Sequence, residues 1–376
     1  MPPKGHATLS ASSADRWLHC PPSARLSELY EDKGSDFAAE GTDAHALCEY
    51  KLLKALGQEA EDPTENLTWF NEEMSDSATG YADFVMELVE TAKQKCTDPV
   101  VLVEQRVDFS RWVESGFGTA DCIIIADGTL RICDFKYGRG VEVSAEENPQ
   151  MMCYALGALE LFDYLYDIDR VSMTIYQPRR SNISTYEMAK DDLYRWADEV
   201  LKPAAELAFA GDGNFPCGEW CTFCKAKNDC RARAEANLEL ARYEFKLPPL
   251  LTDADIEDIL GKLDDLVNWA TDIREYALQQ AINGKEWTGW KLVEGRSNRK
   301  YTNDTAVAAA VENAGFDPYE KKLLNITAMQ KMLGKARFEE LLAPYIEKPQ
   351  GKPTLVPESD KRPAINTAKN DFMEEF

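Results

Sequence analysis

The strongest constraint on this chain is a pair of short apolar runs joined by an Asp-Gly turn, with a carboxylate at the outer end of each. Gly118-Thr119-Ala120-Asp121 opens the run Cys122-Ile123-Ile124-Ile125. Beyond Asp127-Gly128, Leu130-Arg131-Ile132-Cys133 closes in Asp134-Phe135-Lys136. An Asp-Gly turn between two such runs is a strong hairpin signal. Antiparallel pairing brings Asp121 and Asp134 to the same end of the ribbon. Side chains alternate along a strand, so Asp134 and Lys136 point one way and Phe135 the other.

That end of the ribbon carries chemistry. Two hard carboxylate oxygens suit Mg²⁺ or Mn²⁺, and a lysine beside them suits the charge that develops on a reacting phosphate. Downstream, Gln150-x-x-x-Tyr154 places two polar groups one turn apart on a helix face. Far upstream, His45 closes Gly41-Thr42-Asp43-Ala44-His45. Two strand-end aspartates and a solvated lysine are the plain reading of Asp-x-Lys taken alone. The surrounding elements favour a metal-dependent phosphodiesterase site.

Gly118-x-x-Asp121, Asp134-x-Lys136 and Gln150-x-x-x-Tyr154, in this order, resemble the PD-(D/E)XK nucleases of the RecB-like exonuclease group. His45 resembles that group's additional metal ligand. The likeness spans residues 8 to 240, and Ala120-Asp121 replaces the family's literal Pro-Asp. It implies an α/β restriction-endonuclease-like core: a mixed central sheet flanked by helices. It implies that His45, Asp121, Asp134 and the Phe135 carbonyl bind Mg²⁺ or Mn²⁺. Lys136 would orient or activate the attacking water, and Gln150 and Tyr154 would brace the site and touch DNA. The product would carry a 5′ phosphate. Glu104, in the run Val100–Val107, is a weaker candidate for the acidic site, with a rim charge as the equal alternative. Such enzymes serve phage-type DNA replication and recombination, which implies single-stranded or duplex DNA ends as substrate. A single-strand-binding or recombination protein would be the partner.

The ten cysteines divide into two sets. Cys48, Cys96, Cys122, Cys133 and Cys153 lie among apolar residues and read as small buried hydrophobes. Cys221-x-x-Cys224-x5-Cys230 is a tight chelating loop, and Cys20 stands alone in Trp17-Leu18-His19-Cys20-Pro21. Four thiolates suit either zinc or an iron–sulfur cluster. Spacing alone leaves open a local Zn²⁺ site of Cys217, Cys221, Cys224 and Cys230. The distant cysteine followed by C-x2-C-x5-C resembles the staple of AddB-type and CRISPR-associated nucleases. That implies a [4Fe–4S] cluster on Cys20, Cys221, Cys224 and Cys230.

Composition bears on partners. With 376 residues the chain can bury a large core, and 44% hydrophobic with 10% aromatic residues excludes general disorder. No apolar stretch is long enough to cross a membrane, and the first six residues lack a signal-peptide core. A cytoplasmic, reducing location is expected, so the cysteines are not read as a disulfide scaffold. The net charge of −24 argues against nucleic acid, because phosphate neutralisation supplies most DNA affinity. A local basic track meets the objection. Arg139, Arg179 with Arg180, and Lys291 with Arg296, Arg299 and Lys300 are its candidates.

Along the chain, helices are expected near 8–20, 36–56, 68–95, 146–166, up to 210, and 229–243. Strands are expected near 100–109, 119–126, 130–136, 171–178 and 182–189. A nuclease module over 8–245 would end at a linker, Lys246–Thr252. A mostly helical accessory unit over 252–347 follows, with a helix at 253–283, a strand at Gly289–Val293 and three short helices. Residues 348–376 read as a disordered tail. Two other classes stay open: a catalytically inactive DNA-binding recombination accessory, and a Cys₄ zinc structural or interaction protein.

Overall fold

A computed structural model describes residues 7–31, 34–94, 96–126, 128–239, 251–293, 302–319, 323–324 and 326–347. The elements in chain order are α1 (Ala14–His19), α2 (Ser23–Glu28), α3 (Asp36–Ala55), α4 (Glu72–Lys93), β1 (Val100–Asp108), β2 (Phe117–Ala126) and β3 (Thr129–Phe135). Then come α5 (Pro149–Phe162), β4 (Arg170–Gln177), β5 (Asn182–Ala189), α6 (Lys190–Trp196), α7 (Lys202–Ala210), α8 (Arg231–Leu238) and α9 (Asp253–Ile282). The chain divides into two compact units, residues 1–292 and 293–376. Within the second, the described helices are α10 (Asp304–Asn313), α11 (Ile326–Leu333) and α12 (Lys335–Leu342), with Ala308 and Phe338 buried.

The five strands form one mixed sheet in sequence order. β1–β2, β2–β3 and β4–β5 are antiparallel, and β3–β4 is parallel. A parallel neighbour needs a crossover, and α5 supplies it. In the β2–β3 hairpin Ala126 pairs with Thr129, which leaves two residues for the turn. Gly128 there takes φ +67°, the left-handed region such turns require. Asp127 lies outside the described residues.

Each face of the sheet has its own core. α3 and α4 cover one, through Leu47, Leu52, Tyr81 and Val85 against Cys122, Ile124, Cys133 and Phe135. α5 covers the other, together with Trp17 of α1, Leu193 of α6 and Ala205 and Ala208 of α7. Ile123, Ile124, Leu130 and Ile132 are fully buried. Each such side chain is worth roughly 1.5–3 kcal/mol in burial. Helix starts are capped by short polar residues: Ser35 accepts from Ala38 N, Asn71 from Met74 N, and Asn148 from Gln150 and Met151. α5 also begins on Pro149, whose missing N–H costs nothing at a first turn. Its buried stretch runs from Met151 to Leu159 because it lies between the sheet and α1.

Several expectations need correction. The first helix opens as a 3-10 turn at Ala11–Ser13, and α2 was not foreseen. α4 begins at Glu72, set by the Asn71 cap. The helix expected to reach 210 contains a π turn at Ala197–Leu201, just before Pro203. Gly289–Val293 forms no strand, and no strand among the described residues pairs with it. α9 falls in the first unit rather than with the accessory helices. Asp272 on α9 pairs with Lys227 (2.7 Å) and with Arg233 of α8 (2.6 Å). Most of the linker expected at 246–252, the tail from 348, and Arg296, Arg299 and Lys300 lie outside the described residues.

Candidate active site

The β1–β2 ladder lacks one rung. Val103 pairs with Cys122 and Gln105 with Ala120, and between them Glu104 faces Asp121 unpaired. Glu104 holds φ +49°, a conformation that L-residues adopt at a cost and that clusters at functional sites. Both strands change phase here. Val101 and Val103 pack in the α3–α4 core, yet Val107 lies in the α5 core. Ala120 and Ile123 share the α5 core, although strict alternation would separate them. The slip brings Glu104 and Asp121 together beside α3.

His45 of α3 completes the group. Its Nδ1 is 3.3 Å from Asp121 Oδ1. Ligand atoms of His45, Glu104 and Asp121 all lie within 4.8 Å of one another. The imidazole also packs edge-on against the Phe135 ring, 5.7 Å between centroids. Asp121 Oδ2 accepts the Phe135 N–H at 2.7 Å, so its carboxylate takes over where the β2–β3 ladder stops. Among the described residues this is the one group of three histidine, cysteine or acidic side chains gathered so closely.

Asp134 lies outside this trio and engages the α5 side. It is 2% exposed, and its Oδ2 sits 2.9 Å from Lys136 Nζ. Lys136 is the charge partner of that oxygen. Lys136 Nζ donates to Gln150 Oε1 (3.0 Å), and Gln150 Nε2 donates to Tyr154 OH (3.0 Å). A polar chain thus runs from β3 to α5. Gly118 leaves room for it: a Cβ there would lie 2.6 Å from Tyr154 Cε1. Tyr81 OH supports the strand from behind by donating to the Cys133 carbonyl at 3.1 Å.

The charges perturb one another. Burial pushes the Glu104 carboxyl up, and the Asp121 charge adds to it, to about 7. Burial would push His45 down, but the Asp121 charge, its hydrogen bond and Asp134 carry the imidazole up to about 9. Burial raises Asp134 against the pull of Lys136. Burial opposes the charge on Lys136, yet Asp134 and Asp121 hold its ammonium above the usual lysine value. Paired shifts of this kind mark candidate functional sites.

The second cysteine set also comes together. Cys20, Cys217, Cys221, Cys224 and Cys230 line one pocket, with Arg16, Trp220 and Arg233. Burial raises the Cys20 thiol, and the nearby Cys224, Cys221 and Cys230 raise it further. The His19 and Trp220 rings stack at 4.2 Å beside it. Four cysteines at one pocket suit either a Zn²⁺ ion or an iron–sulfur cluster. Cys48, Cys122, Cys133 and Cys153 are buried, as expected, and Cys96 is partly exposed.

Glu104, a weaker candidate from the sequence, lies with His45 and Asp121 in the structure. Its place opposite Asp121 follows from the register, but its backbone conformation has no sequence signal.

Fold and site together define a mixed α/β protein whose sheet carries a histidine–carboxylate cluster at the open end of a hairpin. A family profile described as "Protein of unknown function (DUF2800)" matches residues 6–363, and the chain belongs to that family. Among solved structures it is similar to one titled "Crystal structure of SSO0001". The two are 15% identical over 50% of this chain and 94% of that one, with a TM-score of 0.22. No described helix is long and apolar enough to cross a membrane.

Proposed function

We propose that this protein is a metal-dependent deoxyribonuclease of the PD-(D/E)XK, RecB-like type, acting in a reducing cytoplasm on DNA ends. The observation that carries the reading is the His45–Glu104–Asp121 trio beside the Asp134–Lys136 pair. The donor set fits Mg²⁺ or Mn²⁺: the Glu104 and Asp121 carboxylates and one imidazole, with the buried Asp134 carboxylate beside them. A divalent cation held there would polarise the scissile phosphate and make water a stronger nucleophile at neutral pH.

The chain's own residues do the rest. Lys136 presents a fixed positive charge to a phosphate oxygen, and Asp134 and Gln150 hold the ammonium in place. Tyr154 fixes Gln150 in turn. His45 and Asp121 share a proton at Nδ1, which a bound cation would displace. We also propose that Cys20, Cys221, Cys224 and Cys230 hold a [4Fe–4S] cluster. The support is that Cys20 comes to the same pocket as the C-x2-C-x5-C loop, next to Cys221, Cys224 and Cys230. Cys217 lies close enough to Cys221 to be a fifth thiol at the same pocket.

The test is direct. Anaerobically purified protein with Mn²⁺ or Mg²⁺ should shorten end-labelled single- or double-stranded DNA and leave 5′ phosphates. No cleavage of either substrate with either metal would reject the reading.

A further inference from the structure

Just past the site, three arginines from two connections converge. Arg139 follows β3, and Arg179 and Arg180 lie in the 3-10 turn between β4 and β5. Arg180 Nη1 donates to the Arg139 carbonyl at 3.3 Å, which joins the two connections. Arg179 is only 11% exposed, with its guanidinium 4.4 Å over the Tyr137 ring. Tyr137 sits one residue beyond Lys136 and is 3% exposed. Its hydroxyl has no hydrogen-bond partner, and neither has the Arg179 Nε. Buried donors left in this state are unusual and call for an explanation.

Acid occupies two of the three arginines, Arg139 and Arg179. Glu40 accepts from Arg179 at 3.0 Å. Glu73 accepts from Arg179 at 3.4 Å and from Arg139 through both carboxylate oxygens. Glu73 is about half exposed, so its hold is a surface ion pair that an incoming anion can replace. The floor of the site is rigid. Gln177 donates to the Gly138 and Val141 carbonyls at 3.1 and 2.9 Å. The approach is open: a Cβ on Gly138 or Gly140 would meet nothing within 4 Å.

We propose that Arg139 and Arg180, backed by the buried Arg179–Tyr137 stack, form a seat for backbone phosphates of a single nucleic-acid strand, which Glu73 covers until that strand arrives. The inference rests on the nuclease reading and adds where the strand runs: from the Lys136 ammonium out over the 138–140 backbone. It also answers the net charge of −24, because the chain keeps its cationic track masked when no strand is bound. A phosphodiester presents the planar oxygen pairs that guanidinium forks match, as a carboxylate does.

The experiment is fluorescence anisotropy of the full chain with a labelled single-stranded oligonucleotide. Ca²⁺ replaces Mg²⁺ to suppress cleavage, and salt runs from 50 to 200 mM. Glu73→Gln should tighten binding. Arg139→Ala and Arg180→Ala should each weaken it and flatten the salt dependence by about 0.7 in slope, or about 2.6-fold across that range. Duplex competitor should displace the strand poorly. Unchanged affinity and slope in the arginine variants, in a wild type that cleaves DNA, would overturn the seat and leave the nuclease reading standing. A wild type that binds through these arginines without cleaving would keep the seat and remove the nuclease. A wild type that cleaves DNA but binds no oligonucleotide overturns the seat, and one that neither binds nor cleaves removes both. Tighter binding to duplex than to single strand would overturn the single-strand assignment.

Discussion

Glu104 and Asp121 face each other across the one missing rung of the β1–β2 ladder, and His45 lies within reach of both. Two carboxylates in that position repel unless a proton or a cation lies between them. Glu104→Gln should therefore weaken Mn²⁺ binding several-fold and leave the fold intact, since its side chain is only partly buried. Asp134→Ala should abolish cleavage, and Lys136→Ala should abolish it while keeping metal affinity. Calorimetric titration with Mn²⁺ separates the three. Equal Mn²⁺ affinity in Glu104→Gln and wild type would remove Glu104 from the site.

Stability should depend on pH in a direction opposite to that of ordinary salt-bridged carboxylates. Glu104 binds its proton more tightly folded than unfolded, rising from 4.5 to about 7. Its contribution is full below about 4.5 and is lost as pH climbs through 7. His45 rises from 6.5 to about 9, so its contribution is full below 6.5 and is lost through 9. Both slopes run the same way. Urea unfolding in chelator should show stability falling from pH 5 to pH 9, and Glu104→Gln should remove the lower part of that fall. Added Mn²⁺ should stabilise more at pH 8 than at pH 5, because it competes with these protons. A metal-free protein most stable at pH 9 would contradict the assignment.

Gly118→Ala should impair cleavage without unfolding the chain. The new methyl would lie 2.6 Å from the Tyr154 ring and force it off Gln150. Tyr154→Phe removes the hydroxyl alone and should lose less. Gly157→Ala is the contrast: its methyl would meet Val107 Cβ at 2.9 Å and the Asp108 backbone at 3.0 Å. That is overpacking between α5 and β1, worth about 1–3 kcal/mol of stability. Thermal melts and cleavage rates of the two variants should rank in opposite orders.

Cys20→Ala should bleach the visible absorbance of anaerobic protein and lower its melting temperature sharply. A cross-link closing so long a loop is worth on the order of 5 kcal/mol in the chain-entropy treatment of disulfides. Cys217→Ala should retain colour. Colourless wild-type protein carrying one equivalent of zinc, lost on Cys217→Ala and kept on Cys20→Ala, would replace the cluster with a local zinc site.

Much of this was legible in the residues. The Asp-Gly turn and its flanking apolar runs located β2 and β3, and the register set Asp121 opposite Asp134 because hairpin geometry is local. Gln150 and Tyr154 met for the same reason, four residues apart on one helix. What stayed hidden depends on neighbours far along the chain or on backbone conformation. The phase slip at Glu104 needs a left-handed backbone that no residue type there announces. The attachment of α9 rests on Asp272 meeting Lys227 and Arg233, a pairing that charge patterning within α9 cannot reveal. Gly289–Val293 has a strand's composition but no described strand beside it, and composition alone does not make a ladder.

The tie between the start of the first unit and its far end sets an order of events during synthesis. Leu9, Trp17 and Ala24 share a core with Ala205 and Ala208, Arg25 donates to the Phe209 carbonyl, and Tyr30 donates to Asp229. None of these partners exists until most of the first unit has left the ribosome. Until then the first thirty residues can pack on α5 but lack the α7 side of their core. That core is complete only when residues 205–229 emerge.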